Sequence, residues 1–113
     1  VLGALACGGN VAGNNGAGPT TFTAYSCSGW NESGPEVAFT FTAPADGNVT
    51  LTLSNLGADL DLFVLAGGCD AAQCVAYGDN NTTFWATAGE TYHVLVDGYM
   101  GAVSDFTLTA TCN

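Results

Sequence analysis

The sequence contains no lysine and no arginine, against ten aspartates and glutamates, for a formal net charge of −10. A nucleic-acid-binding surface needs cations against phosphate, so that class is excluded. Attraction to an anionic membrane surface is excluded for the same reason. Only a protonated His93 could join a side-chain ion pair. A carboxylate that leaves water must therefore turn to hydroxyls, backbone N–H groups or a metal ion. Histidine is nearly absent too. Any nucleophile–histidine arrangement has to use His93, which sits inside the strand-like run Thr91–Val96, and no G-x-S-x-G elbow or H-E-x-x-H motif exists. With no Lys or Arg to clamp an oxyanion either, the expectation is a protein that is not an enzyme. No apolar run approaches the roughly 18 residues that span a bilayer, so no membrane insertion is expected.

What is present reads as all-β. The chain has 113 residues, one domain's worth, with 48% hydrophobic residues and 16 glycines. No window holds a 3.6-residue apolar period, and there is no internal repeat. Residues 1–19 are small, Gly-rich and uncharged, and are expected to form an extended arm. From Thr20 onward, residues 20–113 form the domain body. Seven strands are predicted: Thr20–Ser26, Glu36–Ala43, Val49–Ser54, Asp59–Ala66, Thr82–Thr87, Thr91–Asp97 and Val103–Thr111. Glu36–Ala43 and Val49–Ser54 alternate apolar with polar residues around the turn Pro44–Gly47, which predicts an antiparallel hairpin. Asp59–Ala66 is apolar on both faces after its acids and reads as a central strand.

Asp59 and Asp61 lie two apart on that strand, so they share a face, and Phe63 and Leu65 farther along suggest that this face turns inward. Two anions near a core repel and lose hydration. Calcium, which takes six to eight oxygens, would relieve both costs. Glu32, Glu36, Asp79 and Asp97, each at a strand end or turn, are the further candidate ligands.

Five cysteines imply an oxidising compartment, hence a secreted, extracellular or cell-surface protein. No cationic leader opens the chain, which reads as a mature product; the start through Cys7 resembles a lipoprotein box but lacks the usual Leu three positions earlier. Cys69 and Cys74 enclose a four-residue loop and are the expected local disulfide. Of Cys7, Cys27 and Cys112, the preferred pair is Cys7–Cys27, with Cys27–Cys112 close behind, and one thiol is left over. Trp30 and Tyr99 stand in Gly-containing loops and are candidates for stacking on a collagen-like or polysaccharide surface. Asn31, Asn48, Asn80 and Asn81 each fit the N-x-S/T acceptor pattern for glycan attachment.

The run SGPEVAFTFTAPADGNVTLTLSNLGADLDLFVLAGG, followed by AGETYHVLVDGYMGAVSDFTLTATC, resembles the bacterial pre-peptidase C-terminal domain over about Cys27 to Cys112. Gly34-Pro35-Glu36, the D-L-D-L-F-V string at 59–64 and the V-D-G-Y string at 96–99 carry the resemblance. It implies a jelly-roll-like antiparallel β-sandwich, here of about seven to eight strands, appended to secreted proteases and other exported enzymes and without catalytic machinery. Related domains of clostridial collagenases bind collagen and calcium. Two functional expectations follow. One is a self-associating filament or matrix subunit that donates Val1–Ala6 or Asn10–Ala12 to a neighbour's sheet and is stabilised by calcium and disulfides. The other is an accessory collagen- or polysaccharide-binding domain of a secreted protease.

Overall fold

The computed structural model describes residues 2–113 and forms two packed sheets. Among the described residues nine strands run in chain order: β1 (Gly3–Leu5), β2 (Asn10–Asn14), β3 (Glu36–Thr42), β4 (Gly47–Ser54), β5 (Leu60–Ala66), β6 (Cys74–Gly78), β7 (Asn81–Ala86), β8 (Thr91–Gly98) and β9 (Asp105–Cys112). One sheet has the order β1-β3-β8-β5-β6, the other β2-β9-β4-β7. Every pairing is antiparallel except β1 with β3. The antiparallel β-sandwich that the resemblance implies is therefore present.

Alternate residues of each strand point to one face, and here that face is the core. Val37, Phe39 and Phe41 of β3, Leu60, Leu62 and Val64 of β5, and Val94 and Val96 of β8 meet Val49, Leu51 and Leu53 of β4, Phe84 of β7, and Phe106 and Leu108 of β9. Strands β3 and β4 do not form the expected hairpin. Each pairs within a different sheet, so the turn Pro44–Gly47 crosses the sandwich. The reason is packing: an arch sets the two apolar faces against each other, whereas a hairpin would lay them side by side. Asp46 in the turn accepts a hydrogen bond from the Ala88 amide at 2.7 Å, which ties it to the β7–β8 connection.

The arm is extended, as expected, but both of its strands pair at home: Gly3–Leu5 with Phe39–Phe41, and Asn10–Asn14 with Asp105–Thr109. Val1 lies outside the described residues. The predicted strand Thr20–Ser26 is absent. Residues 18–35 instead form an irregular strap across the outer face of the five-stranded sheet, with Tyr25 packed on Phe63, Leu65 and Leu95, and Phe22 and Trp30 beside them. Strand β5 is apolar on both faces, so its outer side needs this cover.

The buried side chain of Asn15 joins arm, strap and β8–β9 connection. Its amide donates to the carbonyls of Pro35 and Ala102, both at 2.9 Å, and its oxygen accepts from the Ser104 N–H at 2.9 Å. Asn15→Ala strands all three backbone groups, and urea titration should show a loss of about 3 kcal/mol. A loss below about 1 kcal/mol would mean that water replaces the amide.

Candidate metal centre

The register of three adjacent strands builds the site. Asp97 of β8 is opposite Glu36 of β3 on one side and opposite Asp61 of β5 on the other. Cross-strand partners share a face, so three carboxylates form one row on the outer surface of the sheet. The strap covers that row and adds Glu32. Relative exposure is 0% for Glu32 and Asp97, 2% for Asp61 and 4% for Glu36. Four acids are thus buried in a chain with no lysine or arginine to pair them.

The row divides into two environments. Asp97 is satisfied internally: its carboxylate accepts from the Tyr25 hydroxyl at 2.7 Å and from the Gly98 N–H at 2.8 Å. Glu36 accepts from the Phe22 N–H at 2.7 Å through Oε1, while its Oε2 is buried without a partner. At the other end, Asp59, Asp61 and Asp79 bring one carboxylate oxygen each to within 4.8 Å of the others. Glu32 lies against Asp61, near enough for the two to share a proton. Both Glu32 oxygens and Asp61 Oδ2 are buried and have no hydrogen-bond partner among the described residues.

Burial is the main cause of the electrostatic strain. It raises the Glu32 carboxyl well above the usual carboxylate range, with the adjacent Asp61, Asp97 and Asp59 charges adding to the shift. Asp61 is raised to about 6 by burial and by the Asp59 and Asp79 charges, against the lowering effect of its bond with Glu32, and Asp59 is raised by burial and by Asp79. Asp97 is pushed up to about 7 by burial, against the lowering effect of its bonds from Tyr25 and Gly98. The Tyr25 phenol is raised by burial and by the Asp97 charge. Tyr25→Phe leaves Asp97 Oδ2 buried without its donor and should cost about 2 kcal/mol at pH 8 in a denaturant titration; an unchanged midpoint would show that the hydroxyl contributes nothing there.

These residues suit a hard cation. Asp59, Asp61 and Asp79, with Glu32 beside Asp61, offer carboxylate oxygens, the ligand type that Ca²⁺ takes. Of the six acids expected to bind metal, the fold clusters Asp59, Asp61 and Asp79 and sets Glu32 beside Asp61; Glu36 and Asp97 belong to the neighbouring hydrogen-bonded end of the row. Trp30 and Tyr99, singled out in the sequence for stacking, stand beside the carboxylates and line the same pocket of about 210 Å³ with Asp59, Asp61 and Asp79. Sequence reasoning missed the role of Tyr25. In a chain without cations a buried phenol is one of few side chains able to donate to a buried acid, and that scarcity was the available signal. His93 lies mid-strand in β8, with Nδ1 buried and without a hydrogen-bond partner among the described residues. Asn31, Asn48, Asn80 and Asn81 are all exposed.

The cysteine pairing differs from expectation. The disulfides are Cys7–Cys112 and Cys27–Cys74, and Cys69 is free and exposed. Neither the local Cys69–Cys74 bridge nor Cys7–Cys27 nor Cys27–Cys112 forms. Asp70 caps a short turn at Ala71–Gln73 and starts β6 at Cys74, whose side chain packs under the strap beside Cys27. Cys7 and Cys112 each lie three residues beyond the paired Asn10 and Thr109, so the β2–β9 register brings them together.

The family model described as bacterial pre-peptidase C-terminal domain matches residues 35–98, from the start of β3 to the end of β8. The chain belongs to this family. The matched stretch of the pre-peptidase C-terminal domain holds Asp59, Asp61, Asp79 and Asp97, and leaves out the arm, the strap and β9. Among solved structures, the chain is similar to the pre-peptidase C-terminal domain of Bacillus anthracis collagenase, with a TM-score of 0.62 and 14% identity over 96% of this chain and 94% of that one. It is also similar to PliG of Aeromonas hydrophila, a periplasmic inhibitor of g-type lysozyme, with a TM-score of 0.63 and 17% identity over 93% and 85%. At these identities the likeness shows the fold alone. A comparison with curated proteins gave no match. The pre-peptidase C-terminal domain is a module of secreted proteases that does not perform their chemistry. Two disulfides place this one in an oxidising space, secreted or periplasmic.

Proposed function

We propose that this chain is a non-catalytic extracellular module whose strap is locked over its sheet by one calcium ion held by Asp59, Asp61, Asp79 and Glu32. The observation that supports it is a set of buried carboxylate oxygens, on Asp61 and both of Glu32, that face two further acids and have no donor. Leaving such anions unpaired is costly, and calcium neutralises them while tying the strap residue Glu32 to β5 and the β6–β7 turn.

Calorimetric titration of chelator-treated protein with CaCl₂ tests the proposal. The expected result is one site per chain, with Asp61→Asn weakening it at least thirtyfold. No heat of binding, together with a melting temperature indifferent to calcium, would overturn it. Growth of a filament by donation of the arm is not supported, because β1 and β2 are already paired in their own chain. The role that fits is an accessory or structural domain that presents its strap face outward.

A further inference from the structure

We infer that the calcium pocket is also a binding site for neutral sugars, in which vicinal hydroxyls of a pyranose reach the metal and its apolar face packs on Trp30 and Tyr99. The inference rests on the calcium reading above and adds a ligand class to it. Two observations carry it. First, the metal site is built from the interior outward. Glu32 and Asp61 are buried, whereas Asp59 and Asp79 are exposed and stand in the wall of a pocket that opens to solvent. Second, the remaining walls of that pocket are aromatic, Trp30 and Tyr99.

A closed structural calcium site would be wrapped in carboxylates and carbonyls on every side. Asp59, Asp61 and Asp79 bring one oxygen each within 4.8 Å of one another, and one more from Glu32 makes four, which leaves at least two of calcium's six to eight positions for outside oxygens. Water can fill them, and so can two adjacent sugar hydroxyls, which are neutral oxygen donors spaced on one ring. Trp30 is held rather than loose: its ring meets Tyr77 edge-on at 5.0 Å, and Tyr77 stacks on Phe63. A fixed ring next to a hydroxyl-binding ion suits a pyranose, which has polar edges and apolar C–H faces. The volume of about 210 Å³ matches a single terminal ring rather than an internal chain segment.

Charge selects among sugars. Four carboxylates around one dication keep the pocket negative, and the chain has no lysine or arginine to offset it. Uronic acids and sulfated sugars are therefore disfavoured, and neutral hexoses favoured.

The experiment uses the full chain carrying Trp85→Phe, which removes an exposed indole on β7 and leaves Trp30 as the sole tryptophan reporter. Calcium loading is checked first by calorimetry. Methyl α-D-mannopyranoside and methyl β-D-galactopyranoside are then titrated while Trp30 fluorescence and saturation-transfer NMR are followed. At least one glycoside should bind with a dissociation constant of about 1 mM, a reasonable value for a ligand this small. EGTA should weaken binding at least tenfold, and Trp30→Ala, read by NMR, should do the same. If calcium fails to bind, the proposed function falls and this inference with it. If calcium binds and neither glycoside does, or if sugar binding ignores EGTA, the sugar site alone is wrong.

Discussion

Stripping calcium from this domain should lower its melting temperature by about 10 °C at pH 8 and by almost nothing at pH 4.5. The size follows from mass action: an ion present at one hundred times its dissociation constant stabilises the folded state by about 2.7 kcal/mol. For a domain near this length each kcal/mol moves the midpoint by about 4 °C. The pH dependence follows from the buried acids. Glu32, Asp61, Asp59 and Asp97 all have folded-state pKa values raised above their unfolded ones, chiefly by burial. The metal-free folded chain therefore holds more protons than the unfolded chain. Its stability is complete below the ordinary carboxylate range, near pH 4, and is lost as pH rises, with Asp97 releasing its proton at about 7. Calcium needs the ionised forms, so protons displace it at low pH and it binds fully at high pH. The melting curves with calcium and with EGTA should thus diverge as pH rises. Scanning calorimetry from pH 4.5 to 8 checks this. A gap of constant size across that range would mean that the bound cation, if any, is not held by these carboxylates.

The parts of this arrangement that sequence made legible are those that depend on local pattern. Alternation in Glu36–Ala43 and Val49–Ser54 marked two strands, and the two-sided apolar run after Asp59 marked a strand covered on both faces. Asp61 lies in that strand and Asp59 immediately before it, so their meeting was visible at once. Their meeting with Asp79 and Glu32 depends on where the β6–β7 turn and the strap fold back, which no spacing encodes. Strand existence was legible while strand partnership was not: the alternation of β3 and β4 suits a hairpin and an arch equally, and burial of both faces decides for the arch. The arm strands Gly3–Leu5 and Asn10–Asn14 are short edge pieces with only Leu5 fully buried, so they carry almost no pattern. Within the strap, Thr20–Ser26 carries a strand-like pattern because Phe22 has small Thr and Ala neighbours, yet Phe22 and Tyr25, three apart, both reach the same cluster. Cysteine pairing was the least legible of all. Proximity in sequence favoured Cys69–Cys74, whereas both bonds that form join segments far apart in the chain.

Those two disulfides should have similar effects on stability, but only one of them should affect the metal site. Cys7–Cys112 closes a span of 105 residues and Cys27–Cys74 one of 47. Restricting the unfolded chain over such loops is worth about 4 to 5 kcal/mol in each case. That is a large share of the 5 to 15 kcal/mol typical of a whole domain. Replacing either pair by serine should therefore bring the urea midpoint down severely. The comparison is made in a Cys69→Ser background, so that the free thiol cannot capture the cysteine left by a partial exchange. Cys7 and Cys112 join the turn after β1 to the end of β9, away from the acidic pocket. Their removal should expose the amides of β1 and β2 to hydrogen exchange while calcium affinity stays the same. Cys27 instead pins the strap to β6, five residues before Glu32. Without that pin the strap must be ordered by the ion itself, so calcium should bind at least tenfold more weakly at unchanged stoichiometry. Equal calcium affinity in the two variants would show that Glu32 is not a ligand, or that packing of Tyr25 and Trp30 alone holds the strap down. A non-reducing peptide map that joined Cys69 to Cys74 would remove the pin altogether and with it the reason for the metal site to depend on a disulfide.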